Sequence, residues 1–391
     1  MGHILECHEI VKTDFVRAEN CSLYDRQGRR YVDLESGIWC TVLGHNHPRI
    51  NRRIHAQADK LIHLGTRYPS PIVEAAALDI LEITGLGDGK VTFLSSGSEA
   101  VEFGVQAVRR ITGKPLMLTF ASSYLAAYGS SGQKNTAEWH LFDWKACAQC
   151  PDQKDCDPDC PRLQVIPFDQ IGGFAFEPGG SGSGFVQFPP RALVHRLAER
   201  VKQQGGWVVV NEITTGIGRT GKWFGFQHYG LQPDVIAIGK GLGNGYPVSA
   251  VALQPEAARL LEESELHYAQ SHQNDPLGCS VAREVIATLR EEGWIETGRV
   301  KGARFLEELQ CLAEEHLGVK EARGRGMLLG IELNDAHTGL SVQEVYFALL
   351  ERGYLVGYYP AGNILRLDPA LTIPEEDLAA FIENLGEILK G

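Results

Sequence analysis

Short apolar runs alternate with longer amphipathic segments through the middle of the chain, from about residue 90 to residue 253. This alternation is typical of an α/β fold with a parallel sheet. Each run is rich in β-branched or aromatic residues and is bounded by glycine, proline or polar residues, as expected of strands buried on both faces. The strand candidates are KVTFL, PLMLTF, GFAFE, WVVVNEI and DVIAIGK.

Both ends of the chain mix strand and helix patterns. The segment SLYDRQGRRYVDLE predicts a hairpin, and long helical periodicity follows Pro276. Two further strand candidates, GMLLGIEL and NILRLD, precede a final helix that starts after Pro374. Additional helices are expected near residues 48–62 and 71–84.

These patterns predict an α/β fold of two domains. Residues 63–275 should form a large domain around a mostly parallel central sheet, with an insertion at residues 141–161. Because the two terminal pieces flank this sheet, residues 1–62 and 276–391 should together form a smaller α+β domain built from both ends of the chain.

The charge balance argues against two classes of partner. The 391 residues include 37 Lys and Arg against 49 Asp and Glu, a formal charge of −12. We therefore expect no binding of nucleic acid or of an anionic membrane surface. No apolar run reaches the roughly 18 residues of a membrane helix, and the opening MGHILECHEI is too polar for a secretory signal. A cytoplasmic location is the expectation.

A lysine at the end of an apolar strand is the main candidate for chemistry. Lys240 follows DVIAIG and precedes a glycine-rich turn, while Asn211 and Glu212 end the preceding strand candidate. Ligands of α/β sheets bind at such carboxyl ends. Partial burial would lower the pKa of the Lys240 amine and favour nucleophilic chemistry. A lone lysine of this kind could equally be a surface side chain.

The segment from Trp207 to Leu253 resembles the signature of the class III (subgroup II) pyridoxal 5′-phosphate (PLP) aminotransferases, which have fold type I. The resemblance lies in an ordered series of short elements, NE at a strand end, TG, GRTG, PD, KG and GYP. It implies that Lys240 forms a Schiff base, the internal aldimine, with PLP and later moves the proton between Cα and C4′. It also implies ping-pong transfer of an amino group from an amino acid or amine to a 2-oxo acid, by a homodimer with active sites at its interface.

The same resemblance assigns contacts to the phosphate and ring of the cofactor. Gly97 and Ser98 open a helix beneath the phosphate, where free N–H groups and the helix dipole favour an anion. Ser96 and Glu99 also have the spacing of a capping box, which needs no ligand. Tyr124 would stack on the pyridine ring, although an aromatic residue in this Ser/Ala-rich loop could also be packing filler.

Asn211 departs from the family pattern, because it occupies the position of the aspartate that keeps the pyridine nitrogen protonated. Asparagine offers a hydrogen bond but no negative charge, so a weaker electron sink is expected. Ile213 would pack on the opposite face of the ring, and Thr214 would lie near the phenolic oxygen. Ser271 would touch the phosphate of the partner subunit, or it is simply a loop serine before the helix at Pro276.

Arg366 and Trp39 are the expected substrate contacts. The segment NILRLDPALTI resembles the family element R-x-x-P-x-L, whose arginine holds the substrate carboxylate; a surface arginine on a strand is the alternative. Residues 177–182, EPGGSG, keep the first two residues of the family motif EP-x-Q-x-E but lack the later glutamate that gates this arginine in ornithine-type members, and Ala127 replaces an arginine of those members. We therefore expect that no glutamate pairs with Arg366, so the arginine is ungated, and that the substrate has an α-carboxylate. Trp39 either shapes the cleft or is a core tryptophan.

Four of the nine cysteines share one short segment with the spacing C-x2-C-x5-C-x3-C. Such thiolates can converge on one metal centre, and both zinc sites and iron–sulfur clusters use four cysteines. Zinc is preferred over iron–sulfur, because the loop is short and the expected chemistry needs no redox centre. Free thiols or two local disulfides are the alternatives. The candidate ligands are Cys147, Cys150, Cys156 and Cys160.

Asn211 keeps a second function open. A PLP-dependent amino-acid racemase or epimerase on the same scaffold is the runner-up, because a weakened electron sink suits an enzyme that racemises. A non-catalytic binding protein, in which the cysteine insertion mediates contacts, is a third class.

Overall fold

The computed structural model describes residues 3, 5–150, 155–180, 182 and 184–390. Within them, three sheets form: one of seven strands and two of four strands. The strands are β1 Phe15–Glu19, β2 Ser22–Asp25, β3 Arg30–Asp33, β4 Lys90–Leu94, β5 Leu116–Phe120, β6 Trp139–Phe142, β7 Ile171–Phe176, β8 Trp207–Asn211, β9 Val235–Ile238, β10 Ser249–Leu253, β11 Val319–Arg325, β12 Leu328–Leu333, β13 Tyr354–Leu355, β14 Gly357–Tyr359 and β15 Ile364–Leu367.

Helices cover the central sheet and the terminal parts of the chain. They are α1 Ser36–Trp39, α2 Pro48–Ala58, α3 Pro71–Thr84, α4 Gly97–Thr112, α5 Gly129–Gln133, α6 Pro161–Gln164, α7 Arg191–Gln203, α8 Pro255–Glu263, α9 Pro276–Glu291, α10 Trp294–Glu315, α11 Asp335–Thr338, α12 Val342–Glu351 and α13 Glu375–Lys390. Within the described residues, none of these helices has the length and apolar character to cross a membrane.

The seven-stranded sheet has the order β4-β10-β9-β8-β7-β5-β6. β10 pairs antiparallel with β4 and β9, whereas the pairs among β9, β8, β7, β5 and β6 are parallel. β7, β9 and β10 are buried along their whole length, because α4 packs against all three of them and α7 packs against β7 and β8. The predicted α/β fold with a mostly parallel central sheet is confirmed.

The two ends of the chain share a sheet. β13, near the C-terminus, pairs in parallel with β3, near the N-terminus, and so completes the sheet β1-β2-β3-β13. A second four-stranded sheet, β11-β12-β15-β14, belongs to the C-terminal part alone. An α+β unit built from both termini is therefore present, while the boundaries at residues 62 and 275 stay predictions.

Candidate active site

Lys240 lies at the carboxyl end of the buried strand β9 and begins a 3-10 turn, Lys240–Gly243. Its Nζ atom is 4.1 Å from the centroid of the Trp39 ring. Burial lowers the pKa of the Lys240 amine to about 8, although the nearby Cys40 and Glu177 oppose this shift. The neutral, nucleophilic form of the amine is therefore more populated near neutral pH than in an exposed lysine.

The N-terminus of α4 lies against the turn that carries Lys240. A Cβ atom on Gly97 would lie 2.7 Å from Cγ2 of Ile213, and a Cβ atom on Gly239 would lie 3.5 Å from Cα of Gly97. Ser96 caps the helix, because its Oγ accepts a hydrogen bond from the N–H of Glu99 (3.2 Å). The Glu99 carboxylate accepts from the N–H of Ser95 (3.0 Å) rather than from that of Ser96, so the reciprocal half of a capping box is replaced by a bond one residue earlier. The Ser96 cap and the close backbone approach occur together at this helix end.

This helix end has the chemistry of a phosphate cradle. The first N–H groups of any helix lack partners within the helix, and the helix dipole favours an anion there. Ser98, in the first turn of α4, accepts a hydrogen bond at Oγ from the N–H of Ala127 (2.9 Å), which ties the loop after β5 to the helix. The residues present therefore fit the phosphate of PLP.

Asn211 ends β8, next to β9, and is buried. Its Nδ2 donates to the carbonyl of Tyr124 (3.1 Å), and its Oδ1 accepts from the N–H of Ile213 (3.1 Å). The Tyr124 side chain belongs to a residue that is 46% exposed, so it does not serve as core packing. Asn211 thereby links the two residues that were predicted to contact the cofactor ring.

Thr214 is hydrogen-bonded to a buried acid, Glu177. The sequence analysis considered Glu177 only as the first residue of the motif at 177–182 and predicted no role for it. The Thr214 hydroxyl donates to Oε1 of Glu177 (3.3 Å), and the N–H of Gly182 donates to the same oxygen (2.7 Å). Burial raises the pKa of the Glu177 carboxyl, whereas these hydrogen bonds and the Lys240 charge oppose the shift. Ser181, within the same motif, lies outside the described residues.

Arg366 is buried on β15 and holds two carboxylates. Its Nε donates to Oδ2 of Asp368 (2.6 Å), its Nη2 donates to Oε1 of Glu35 (2.6 Å), and its Nη1 donates to the hydroxyl of Tyr359 (3.0 Å). The expectation of an ungated arginine is therefore wrong: a glutamate pairs with Arg366, but it comes from 331 residues away in the sequence. The sequence expectation considered only the motif at residues 177–182, so it missed this partner near the N-terminus.

The Trp39 ring contacts both cationic side chains of the site, Lys240 and Arg366. Its ring centroid is 3.7 Å from Cζ of Arg366, and the residue is 5% exposed. The four residues Ser36–Trp39 all have positive φ, from 50° to 65°. Left-handed backbone costs about 1–2 kcal/mol per non-glycine residue, and such strain is concentrated at functional sites. Trp39 is thus both a buried side chain and a wall of the site.

Ser271 lies in an exposed turn before α9, so its predicted contact with the phosphate of a partner subunit stays a prediction. The next residue, His272, takes part in a small cluster in which Nδ1 of His63 and Nδ1 of His272 each lie 2.5 Å from a carboxylate oxygen of Asp275. In the described part of the chain, this is the one group of three ligand-type side chains whose ligand atoms lie within 4.8 Å of one another.

The four cysteines of the insertion line a single cavity of about 340 Å³, although residues 151–154 between them lie outside the described residues. All nine cysteines are free thiols, so the alternative of two local disulfides is not observed. Burial raises the pKa of the Cys147 and Cys156 thiols, and the neighbouring cysteines of the insertion add to this shift. Among these described residues, no three of the four sulfur atoms lie within 4.8 Å of one another.

Comparison with known proteins decides the family. The profile described as "Aminotransferase class-III" matches residues 6–389 of this chain. The chain belongs to the class III aminotransferases. An acetylornithine aminotransferase of Methanopyrus kandleri is 29% identical over 96% of this chain and 94% of the relative. A leucine/methionine racemase of Thermococcus litoralis is 28% identical over 95% of this chain and 89% of the relative.

Solved structures show the same fold. A Bacillus anthracis aminotransferase superposes with a TM-score of 0.90 at 24% identity, over 99% of this chain and 96% of that chain. An amine transaminase from an uncultivated Pseudomonas species superposes with a TM-score of 0.86 at 23% identity, over 100% and 97% of the two chains. This class III aminotransferase is therefore an enzyme of the transferase class with the PLP-dependent fold type I, as predicted, and it uses PLP as its cofactor.

Proposed function

We propose that this enzyme transfers an amino group from an α-amino acid to a 2-oxo acid by a ping-pong route, with PLP held at Lys240. One observation carries this proposal: the partly buried Lys240, the buried Asn211 and the N-terminus of α4 meet at one set of strand ends. Bound PLP supplies an electron sink for the bonds at the substrate Cα. The chain itself supplies the groups that hold this cofactor and move the proton.

Lys240 has two tasks in this proposal. Its amine, whose pKa is lowered to about 8 by burial, is a competent nucleophile toward the cofactor aldehyde. When the substrate occupies the site, the same Nζ atom of Lys240 is free to remove the Cα proton and to return it. The Trp39 ring, 4.1 Å from Nζ, limits the access of water on that side.

Arg366 is proposed to bind the α-carboxylate of the substrate through its guanidinium fork. The Glu35 carboxylate now occupies one side of that fork, so a substrate carboxylate must displace it. Burial raises the pKa of Glu35 to about 7, although the Arg366 charge opposes this shift. Glu35 therefore gains a proton and releases the arginine at modest cost near neutral pH.

Racemisation is the second candidate function, and Asn211 is the observation that favours it. Asparagine leaves the pyridine nitrogen without the negative charge that strengthens the electron sink. A leucine/methionine racemase is among the relatives of the chain. Return of the proton to the same carbon would then compete with its transfer to C4′ of the cofactor.

One experiment separates the two functions. The holoenzyme is mixed with single amino acids in deuterated water without any oxo acid, and the cofactor spectrum and substrate chirality are followed together. Aminotransfer predicts accumulation of pyridoxamine phosphate. Loss of chirality with α-deuteration and no lasting spectral change would contradict it. Lys240→Ala should lose both activities, whereas Lys301→Ala, at another partly buried lysine, should lose neither.

We also propose that the active form is a homodimer in the cytoplasm. Nine free thiols are typical of proteins in a reducing compartment. If Ser271 contacts the phosphate of the partner subunit, Ser271→Ala should release PLP faster than the wild type while light scattering still reports a dimer. Unchanged PLP release in a dimeric Ser271→Ala variant would contradict that contact.

The four-cysteine insertion is proposed as a separate metal site, zinc or iron–sulfur, with Cys147, Cys150, Cys156 and Cys160 as ligands. Its support is the single cavity that all four residues line. No step of amino transfer depends on it.

A further inference from the structure

Glu35 and Trp39 both contact Arg366, and one left-handed turn connects them. The four residues of α1, Ser36–Trp39, have φ between 50° and 65°, and the N–H of Trp39 donates to the carbonyl of Glu35 (2.8 Å). A left-handed turn is unfavourable for L-amino acids, because Cβ lies too close to the following carbonyl oxygen. The β-branched Ile38 is a marked outlier in this region. Other contacts must therefore hold α1 in this conformation.

The carboxylate of Asp33 holds the start of the turn. Asp33 ends β3 and is 3% exposed. Its Oδ1 accepts a hydrogen bond from the N–H of Glu35 (2.8 Å), and its Oδ2 accepts one from the N–H of Gly37 (2.9 Å). The first N–H groups of a helical turn have no partners within the turn. The Asp33 carboxylate supplies these partners, and so it fixes the direction in which the chain leaves the strand.

His45 holds the Asp33 carboxylate in place. Its Nε2 lies 2.7 Å from Oδ2 of Asp33, and because a carboxylate only accepts, Nε2 is the donor. The backbone of His45 is itself fixed, since its N–H and its carbonyl both bond to the backbone of Asn20 (2.7 and 3.0 Å). A Cβ atom on Gly37 would lie 3.5 Å from Cε1 of His45, so the imidazole also packs against the turn. Strand end, turn and imidazole thus form one connected unit.

The turn is also tied to the strand that carries Arg366. The hydroxyl of Ser36 donates to the carbonyl of Asp368 (2.5 Å), two residues beyond the arginine. Nη2 of Arg366 donates to Oε1 of Glu35 (2.6 Å), and its Cζ lies 3.7 Å from the centroid of the Trp39 ring. One turn therefore places a carboxylate and an aromatic face on the same guanidinium.

We propose that Asp33 and His45 are positioning residues for the carboxylate site at Arg366, an inference that rests on the proposed function. Asp33 sets the left-handed conformation of α1, and His45 keeps the Asp33 carboxylate oriented. The turn then holds Glu35, which precedes it, and Trp39, which ends it, against the guanidinium. Without the pair, the turn relaxes toward the favoured right-handed region, and Glu35 no longer competes with a substrate carboxylate.

The charges around Glu35 separate a positioning role from an electrostatic one. Burial raises the pKa of Glu35 to about 7, the charge of Arg366 opposes this shift, and the charges of Asp33 and Asp368 add to it. Burial and the nearby Glu35 raise the pKa of Tyr346 to about 12, so this neighbouring hydroxyl stays neutral. Loss of the Asp33 charge alone would move the pH at which Glu35 ionises. Loss of its position would remove the pH dependence of carboxylate binding altogether.

The test measures binding of pyruvate to the PLP-loaded enzyme by isothermal titration calorimetry, in steps from pH 5 to pH 9. Pyruvate carries an ionised carboxylate but no amine, so no amino transfer takes place. For the wild type we expect the Kd to rise about fivefold as Glu35 ionises and occupies Arg366. In Asp33→Ala the Kd should become nearly independent of pH. Asp25→Ala is the matched control, because Asp25 also accepts from two backbone N–H groups in a turn of the same sheet, and it should keep the wild-type profile.

A second pair of variants tests His45 and keeps the inference testable if Asp33→Ala does not fold. His45→Leu should flatten the profile, whereas His45→Gln, whose amide can replace the Nε2 donor, should restore it. Equal profiles in these two variants would overturn the role of His45.

Two further results separate failure of the inference from failure of the proposed function. A fivefold change retained in Asp33→Ala, even with its midpoint moved along the pH axis, would overturn the positioning role, and so would a flat profile in the Asp25→Ala control. If the wild type binds pyruvate no better than Arg366→Lys at pH 6, Arg366 is not the carboxylate site. That result would overturn the proposed function of this arginine and the inference with it.

Discussion

Two charge-determining positions of the site differ from what the family resemblance implies. Asn211 brings no negative charge to the pyridine nitrogen, yet both of its polar atoms are engaged, with Tyr124 and with Ile213. Glu35 adds a carboxylate to Arg366, which already has one in Asp368. If Asn211 lies at the pyridine nitrogen and Arg366 binds the substrate carboxylate, as proposed, these two positions determine how strongly the cofactor withdraws electrons and how easily a carboxylate enters.

Asn211→Asp should strengthen the electron sink. The aspartate would hold the pyridine nitrogen protonated, so the half-reaction with an amino acid should accelerate on the order of tenfold, measured by stopped-flow absorbance. Aspartate cannot donate to the Tyr124 carbonyl, so the unfolding free energy should fall by about 1 kcal/mol. Asn211→Ala, which lacks both the charge and the amide, is the control. An aspartate variant no faster than this control would contradict the account.

Glu35→Gln should remove the competition for Arg366. Above pH 7 the ionised Glu35 competes with the substrate carboxylate, so the KM of the wild type for a 2-oxo acid should rise about fivefold between pH 6 and pH 8. The variant should have a lower KM at pH 8 and a flatter profile. Glu296→Gln, at an exposed glutamate that pairs with Arg299, should follow the wild type. A steep profile in the Glu35 variant would rule out this role.

At the scale of elements, the N-terminus of α4 combines a helix cap with the cradle proposed for the phosphate. Its start was predictable, because Ser96 and Glu99 have the spacing of a capping box and a strand candidate precedes them. The strand β6 was not predictable in the same way. Its four residues, WHLF, are too few to show a period, and they pair only because β5 lies beside them.

Gly97→Ala should weaken cofactor binding more than it weakens the fold. The added Cβ would lie 2.7 Å from Ile213, so the helix start or the ring-contacting side chain must move. We expect the Kd for PLP to rise on the order of tenfold, measured by equilibrium dialysis. Ser96→Ala is the matched control: it should cost about 1 kcal/mol of stability through the lost cap but leave the Kd nearly unchanged. Equal Kd values in the two variants would contradict the cradle.

At the scale of the whole molecule, distant parts of the chain meet at the site. β13 pairs with β3, and the ion pair between Arg366 and Glu35 joins residues 331 positions apart. The carboxylates of Glu35 and Asp368 both pair with the buried guanidinium of Arg366, and the charge of the buried Arg219 also favours the ionised form of Asp368. The protonation of Glu35 within this charged group should be visible in the stability of the molecule.

The stability of the wild type should depend on the protonation of Glu35. The pKa of its carboxyl is raised from 4.5 to about 7, so the folded state binds the proton more tightly than the unfolded state. Its stabilising contribution is complete below pH 4.5 and is lost as the pH rises toward 7. The unfolding free energy of Glu35→Gln relative to the wild type should therefore increase by about 1–3 kcal/mol from pH 5 to pH 8 in urea titrations. A difference independent of pH would contradict the raised pKa.

The sequence by itself determined five strands of the central sheet, the start of α4 and the family, because these depend on local periodicity, caps and an ordered series of motifs around Lys240. Only the tertiary structure decided the partner of Arg366, the contact of Trp39 with two cations and the single cavity that the four cysteines line. The physical reason is the distance along the sequence between the residues that interact. Periodicity and caps arise from neighbours a few residues apart, whereas ion pairs, stacked rings and metal ligands depend on which distant segments the packing brings within a few ångströms.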